Sequence, residues 1–275
     1  MTTDARRADI RGLIWFHVLA TAVTWACYVP VVLAQNGTLD LDLDTQGLLG
    51  LTAILAPALT ACALAAVRGG RRELRRLLGM AVKVRFGPRW YLLALAVPFA
   101  VPLTAVALDA LLSGTAPAAW LVAPTAQTLA TFWIAAIGED LGWRGYALSR
   151  ALDRWRPVTA CTIHGALWGL WHLPMFFRAG TAQADQEFWL FTLQVIGATM
   201  IFARLFAATG GSVFAMMLMH ASANLAFNTV PVFATEGGNP VRTVLVSVLY
   251  LAAGLVAIAT MPRRTARTEP ARASA

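Results

Sequence analysis

Apolar runs of roughly twenty residues, long enough to cross a bilayer as helices, recur along this chain between short polar connections. Gly12–Ala34 carries no acid or fixed cation and reads as a first span. A cleaved signal peptide has a shorter apolar core and a small-residue cleavage site, so this helix is expected to be retained. Gln46–Val67 is the second span, and Trp90–Leu112 the third, with Pro98 and Pro102 placed to kink it. The fourth is expected from near Ala118–Trp120 to about Leu148, ended by Arg150, Arg154, Arg156 and the break at Pro157. Val158–Phe177, Phe188–Phe206, Ser212–Phe233 and Thr243–Met261 complete the series. Between the second and third spans, Leu74, Leu77, Leu78 and Ala81 recur at helical spacing opposite arginines. That pattern predicts an amphipathic helix on the membrane surface. The pattern as a whole predicts an all-α, polytopic transmembrane bundle of about eight spans.

Composition narrows the picture. Of 275 residues 58% are hydrophobic and 13% charged, which excludes an ordinary soluble domain and makes the lipid bilayer the first partner. The net charge of +8 does not indicate nucleic-acid binding, because the arginines cluster in a few connections between apolar runs. Those clusters follow the second, fourth, sixth and eighth spans. The acidic loop with Asp40, Asp42 and Asp44 falls on the other side. The positive-inside rule then places both termini in the cytoplasm, and the short loops suit a bacterial inner membrane. The tail Pro262–Ala275 is basic, rich in Pro and Ala, and expected to be disordered. Cys27, Cys62 and Cys161 each lie in an apolar run without CxxC spacing and read as buried filler.

The costly residues are Glu139, Asp140 and Arg144, at the end of an apolar run in Gly138-Glu139-Asp140-Leu141-Gly142-Trp143-Arg144-Gly145-Tyr146. A charge at bilayer depth costs roughly 2.5–3.5 kcal/mol on insertion scales, so three unpaired ones cost ~7–10. On a helix Asp140 and Arg144 stand one turn apart and can pair. Glu139 points about 100° away from Asp140 and is left free to act. Gly142 and Gly145 allow neighbouring helices to approach closely. Trp168 and His172 stand one turn apart in the fifth span, as do His220 and Asn224 in the seventh. One acid, two imidazoles and one amide could supply a general base, a second proton carrier and oxyanion donors. Taken singly, each has a plainer reading: a structural clamp for Asp140 and Arg144, and a helix–helix hydrogen bond for each His and for Asn224. His164 is expected to be structural and His17 interfacial, while Asp109, Gln194 and Asn228 receive no role.

Taken together, Glu-Asp-xxx-Arg, Trp-xxx-His and His-xxx-Asn in this order resemble the CAAX-protease and bacteriocin-processing membrane endopeptidase family. That family's signature is Glu-Glu-xxx-Arg, Phe-xxx-His and His-xxx-Asn. The resemblance covers about residues 118–233, with Asp140 in place of the second Glu and Trp168 in place of Phe. It divides the chain into N-terminal spans with a basic interfacial segment (1–117), a catalytic core (118–233), and a last span with the tail (234–275). It implies peptide-bond hydrolysis within the membrane, in a cavity opening to the cytoplasm, on a peptide or protein substrate near the bilayer. Glu139 would activate a water that His172 helps to hold. His220 and Asn224 would stabilise the oxyanion, and Asp140–Arg144 would fix the helix. If a metal such as zinc takes part, Glu139, His172 and His220 are the candidate ligands, although a route through glutamate alone fits the same residues. The competing readings are a non-enzymatic membrane scaffold and a transporter for protons or small solutes. The substrate, and whether it is prenylated, is not readable from these residues.

Overall fold

In a computed structural model that describes residues 3–178 and 180–261, the regular elements are all helical, and no strand occurs among the described residues. They are α1 (Thr3–Gln35), α2 (Leu43–Ala81), α3 (Pro88–Ser113), α4 (Ala126–Asp140), α5 (Ser149–Arg154), α6 (Pro157–Trp171), α7 (Phe188–Ala208), α8 (Val213–Thr229) and α9 (Pro240–Ala259). A π-helical turn, Leu141–Leu148, joins α4 to α5 in one rod, and a 3-10 turn, Leu173–Phe177, follows α6. The eight expected spans thus correspond to eight rods of a polytopic bundle. Five of these, α1 from Ile10, α2, α3, α7 and α9, are long and apolar enough to cross a membrane by length and composition alone. The other three carry the charged and polar residues of the fourth, fifth and seventh spans. The tail Pro262–Ala275 lies outside the described residues.

The boundaries move where proline and glycine act. The fourth rod starts at Ala126, not near Ala118–Trp120. Pro117 and Pro124 keep the stretch before it irregular, since a residue preceding proline is pushed out of helical conformation. Likewise α8 stops at Thr229, because Val230 precedes Pro231 and is extended. The second span and the amphipathic segment form one helical path, kinked at Gly70, whose φ of 62° no other residue type adopts readily. The segment after the kink docks on the bundle: Leu77 is fully buried against the π-helical turn, while Leu78 faces outward. Helix α1 begins well before the apolar run, so His17 lies in mid-helix.

The chain alternates direction, so its ends segregate. At one end Glu73 of α2 pairs with Arg150 of α5. There too Lys83 Nζ donates to Gly210 O (2.6 Å), and Ser212 Oγ donates to Lys83 O (2.6 Å). The arginine clusters of residues 68–89 and 150–156 gather at this basic end. At the far end Arg242 Nε and Asn239 Nδ2 both donate to Asp109 Oδ2 (2.7 and 3.0 Å), tying α9 to α3. Asp109, to which the sequence assigned nothing, is therefore a helix clamp. Also there, Thr235 N–H donates to Asp185 Oδ2 (2.8 Å), joining the loop after α8 to the loop after α6.

Inside, α4 rides on α2. A Cβ built on Gly138 would lie 2.6 Å from Ile54 O, and one on Gly142 would lie 2.4 Å from Pro57 O. Only glycine permits this approach, and it fixes the depth and rotation of the residues between them, Glu139 and Asp140. Gly145 differs from expectation. A Cβ there would meet the side chains of Leu77 and Val213 at 3.0 and 3.2 Å, not the backbone of another helix.

Candidate active site

Glu139 is the next-to-last residue of α4, and its side chain is 6% exposed. After Asp140 the rod widens into the π-helical turn, where Ser149 N–H reaches back five residues to Arg144 O. Such turns are frequent at functional sites. No periodicity in the sequence announces this one. Its wider turn does not break the expected pair: Arg144 Nη1 lies 2.8 Å from Asp140 Oδ1, with both side chains almost fully buried.

The guanidinium of Arg144 is also held between two rings, 3.9 Å from the centroid of Trp168 and 4.2 Å from that of Phe202. Asp140 Oδ1 has a second partner that the sequence did not reveal, His220 Nδ1 at 3.3 Å. Asp140 thus ties the α4 rod to α8 as well as neutralising Arg144. Neither Asp140 nor Arg144 lines the adjoining cavity; both stand behind its wall.

Trp168 of α6 is the hub. Its indole Nε1–H donates to Glu139 Oε2 (3.2 Å). Its ring lies 5.3 Å from that of His172 and 5.8 Å from that of His220. The sequence assigned Trp168 only an aromatic wall, and the hydrogen bond to the acid is an addition. Phenylalanine at this position could pack but not donate. His172 is the C-cap of α6, and from Leu173 the chain breaks from the α-helix into the 3-10 turn that contains Pro174. The break lets His172 reach the same cavity as Glu139 and His220, although it stands far from the basic end of its rod.

Glu139, Trp168, His172, His220 and Asn224 line one cavity of about 400 Å³, within the usual range of ligand sites. Gln194 and Asn228, given no role by the sequence, also line it. His164 and His17 do not. They pack against each other (5.6 Å between centroids) and against Trp143 (5.5 and 5.6 Å), in a cluster behind the site.

The hydrogen bonds fix the imidazole tautomers. His172 Nδ1 faces Trp168 O at 2.8 Å, and a carbonyl can only accept, so Nδ1 carries the proton and Nε2 is an acceptor in the neutral ring. His220 Nδ1 likewise donates to the carboxylate of Asp140. His220 can therefore donate into the cavity only when it holds both protons, whereas the amide of Asn224 donates in any state. Among the described residues no three His, Cys, Asp or Glu side chains stand together closely enough to hold a metal ion. The expected set of Glu139, His172 and His220 is thus not a ligand cage as placed, and no step below runs through a metal.

The lining residues Arg178, Thr181, Gln183 and Gln186 belong to the loop after α6, at the far end from the arginine clusters.

Residues 119–226 match the family model described as type II CAAX prenyl endopeptidase Rce1-like. The chain is also 30% identical over 98 residues to the CAAX prenyl protease 2 of Methanococcus maripaludis, a stretch covering 34% of this chain and 36% of that protein. The match thus spans about a third of the relative's length. Residues 119–226, matched by the family model, include Glu139, His172 and His220.

Proposed function

We propose that this chain, whose residues 119–226 match the Rce1-like model of type II CAAX prenyl endopeptidases, is a member of that family and hydrolyses a peptide bond inside the membrane by a glutamate-activated water. The observation that carries the proposal is the convergence of Glu139, His172, His220 and Asn224 on one cavity around Trp168. The water sits between Glu139 and Nε2 of His172, each accepting one of its O–H bonds. As its oxygen attacks the scissile carbonyl carbon, Glu139 takes the proton and the C=O π pair moves onto oxygen. Asn224, and His220 when doubly protonated, hydrogen-bond that oxyanion. Collapse of the intermediate breaks the C–N bond, and Glu139 delivers its proton to the leaving nitrogen. Asp140 and Arg144 are positioning residues: they hold the π-helical turn and aim His220.

The substrate is a peptide or protein segment that reaches the cavity from the bilayer or its surface. The basic clusters favour cytoplasmic termini in a bacterial inner membrane. The test is a cleavage assay on a panel of membrane-tethered peptides. It compares the unmodified protein with Glu139→Gln, His172→Ala and His220→Ala. Loss of turnover in all three while each stays folded is expected. Equal turnover by all four proteins would end the protease reading and favour a scaffold.

A further inference from the structure

One wall of the catalytic cavity carries an amide that the described chain leaves unsatisfied. Along α7 the side chains of Phe191, Val195, Ala198, Ile201 and Phe202 line the cavity, and Gln194 stands among them. Gln194 is 5% exposed, and its Oε1 is buried without a donor. The hydroxyls of the same helix are satisfied at home: Thr192 Oγ1 donates to Phe188 O (2.8 Å), and Thr199 Oγ1 donates to Val195 O (2.7 Å). Turning the amide over would exchange its oxygen and nitrogen and leave the same need unmet. A buried carboxamide without a partner is costly, which marks a place for a polar group from outside the chain. The orphaned ring nitrogens of Trp143 and His164 carry no such meaning, because both residues stand behind the cavity wall.

The depth of Gln194 narrows what that group can be. The ring of Phe191 lies 5.0 Å from that of His172, and the ring of Phe202 lies 6.2 Å from that of His220. At 1.5 Å of rise per residue, Gln194 is rooted about 4.5 Å from Phe191 and about 12 Å from Phe202 along α7. It therefore stands between the levels of the two imidazoles, at the depth of the reacting groups. A peptide held at that depth presents its main chain whatever its sequence. In an extended chain the N–H and C=O of one residue point the same way, as they do where opposed residues of antiparallel strands exchange two hydrogen bonds. A carboxamide offers the matching acceptor and donor. Extended peptide covers ~3.3 Å per residue, so the residue within reach lies about one or two positions from the scissile bond.

Resting on the protease reading above, we propose that Gln194 binds the substrate's main chain, with Oε1 accepting the N–H and Nε2 donating to the C=O of one extended residue beside the scissile bond. The contact selects conformation and not side chains. The segment must be extended there, and the gripped residue must keep its N–H, which excludes proline at that position.

The experiment uses the full chain in nanodiscs of zwitterionic lipid, with Glu139→Gln in place so that binding is read without turnover. The probes are the membrane-tethered peptides of the cleavage panel, each also made with its amides replaced one at a time by esters, which removes one N–H. The ester at one position is expected to bind roughly tenfold less tightly than its parent, the loss of one donor to a buried acceptor. Adding Gln194→Met should weaken the parent peptide by a similar factor, and the ester at that position should then bind as tightly as the parent. The same variant should hold or raise the midpoint of thermal unfolding of the empty protein, since an apolar side chain of similar length replaces an unpaired amide. A lowered midpoint would reveal a partner within the chain and overturn the inference. So would unchanged affinity for the parent peptide in Gln194→Met, which would leave the amide satisfied by cavity water alone. Equal binding by all the esters, an ester penalty that survives Gln194→Met, or failure of every peptide to bind would also overturn it. Turnover by protein with Glu139 intact is scored separately: its absence removes the protease reading, and the affinities still decide the role of Gln194.

Discussion

Replacing Trp168 by Phe isolates one hydrogen bond at the site. The ring that stacks on Arg144 and touches both imidazoles is largely kept, and the Nε1–H that reaches Glu139 Oε2 is lost. A hydrogen bond to a charged group is worth about 1.5–3 kcal/mol. The observed separation of 3.2 Å lies at the long end of the normal range, so the lower part of that interval applies. At about 1.4 kcal/mol per decade, turnover should fall roughly tenfold to thirtyfold. KM should change little, because the indole N–H points to the acid and not to substrate. The assay is steady-state cleavage of a tethered peptide, with thermal unfolding in detergent as the control for folding. Because Trp168 acts through Glu139, the combined Trp168→Phe and Glu139→Gln variant should be no slower than Glu139→Gln alone. A kcat within twofold of the unmodified protein would refute the positioning role, and so would additive losses in the double variant.

Three further outcomes follow from the geometry. Arg144→Met leaves Asp140 buried with His220 as its remaining partner. It should cost about 3–5 kcal/mol, lowering the midpoint of thermal unfolding by on the order of 10 °C. Adding Asp140→Asn should recover part of that loss, and a single variant as stable as the parent would contradict the clamp. Because no three ligands converge among the described residues, a zinc chelator should leave peptide cleavage within about twofold; stoichiometric zinc that is required for activity would refute the metal-free route. Finally, cysteines placed at Thr181 and at Arg76 should react with a membrane-impermeant reagent from opposite sides. If both are labelled from one side, the two ends of the bundle are not the two faces of the membrane.

Much of the fold was legible because lipid imposes a simple code. Uncharged runs of spanning length gave the rods, and proline explains the boundaries that moved. The start of the fourth rod was misjudged since apolar content alone cannot separate a span from an irregular apolar approach such as residues 118–125. The kinked path through Gly70 was read as two elements because the charge pattern changes there while the helix does not end. The start of α1 differs for the converse reason: polar residues before the apolar run still extend the helix.

The site was legible at the level of which residues are costly, and less so at the level of what each one touches. Periodicity could place Asp140 beside Arg144, because both lie on one rod. It could not place His220 against the same carboxylate, since that contact spans 80 residues. It also could not give Trp168 its bond to Glu139, which depends on how α6 crosses α4. Both contacts depend on depth, and depth is set where Gly138 and Gly142 lie on the backbone of α2. A side chain at either position would push the α4 rod outward by more than the tolerance of the hydrogen bonds beside it. The small residues flanking Glu139 and Asp140 are therefore as necessary to the constellation as the acids themselves. The sequence carries that information as Gly-Glu-Asp-Leu-Gly, and it becomes readable only with the partner helix in view.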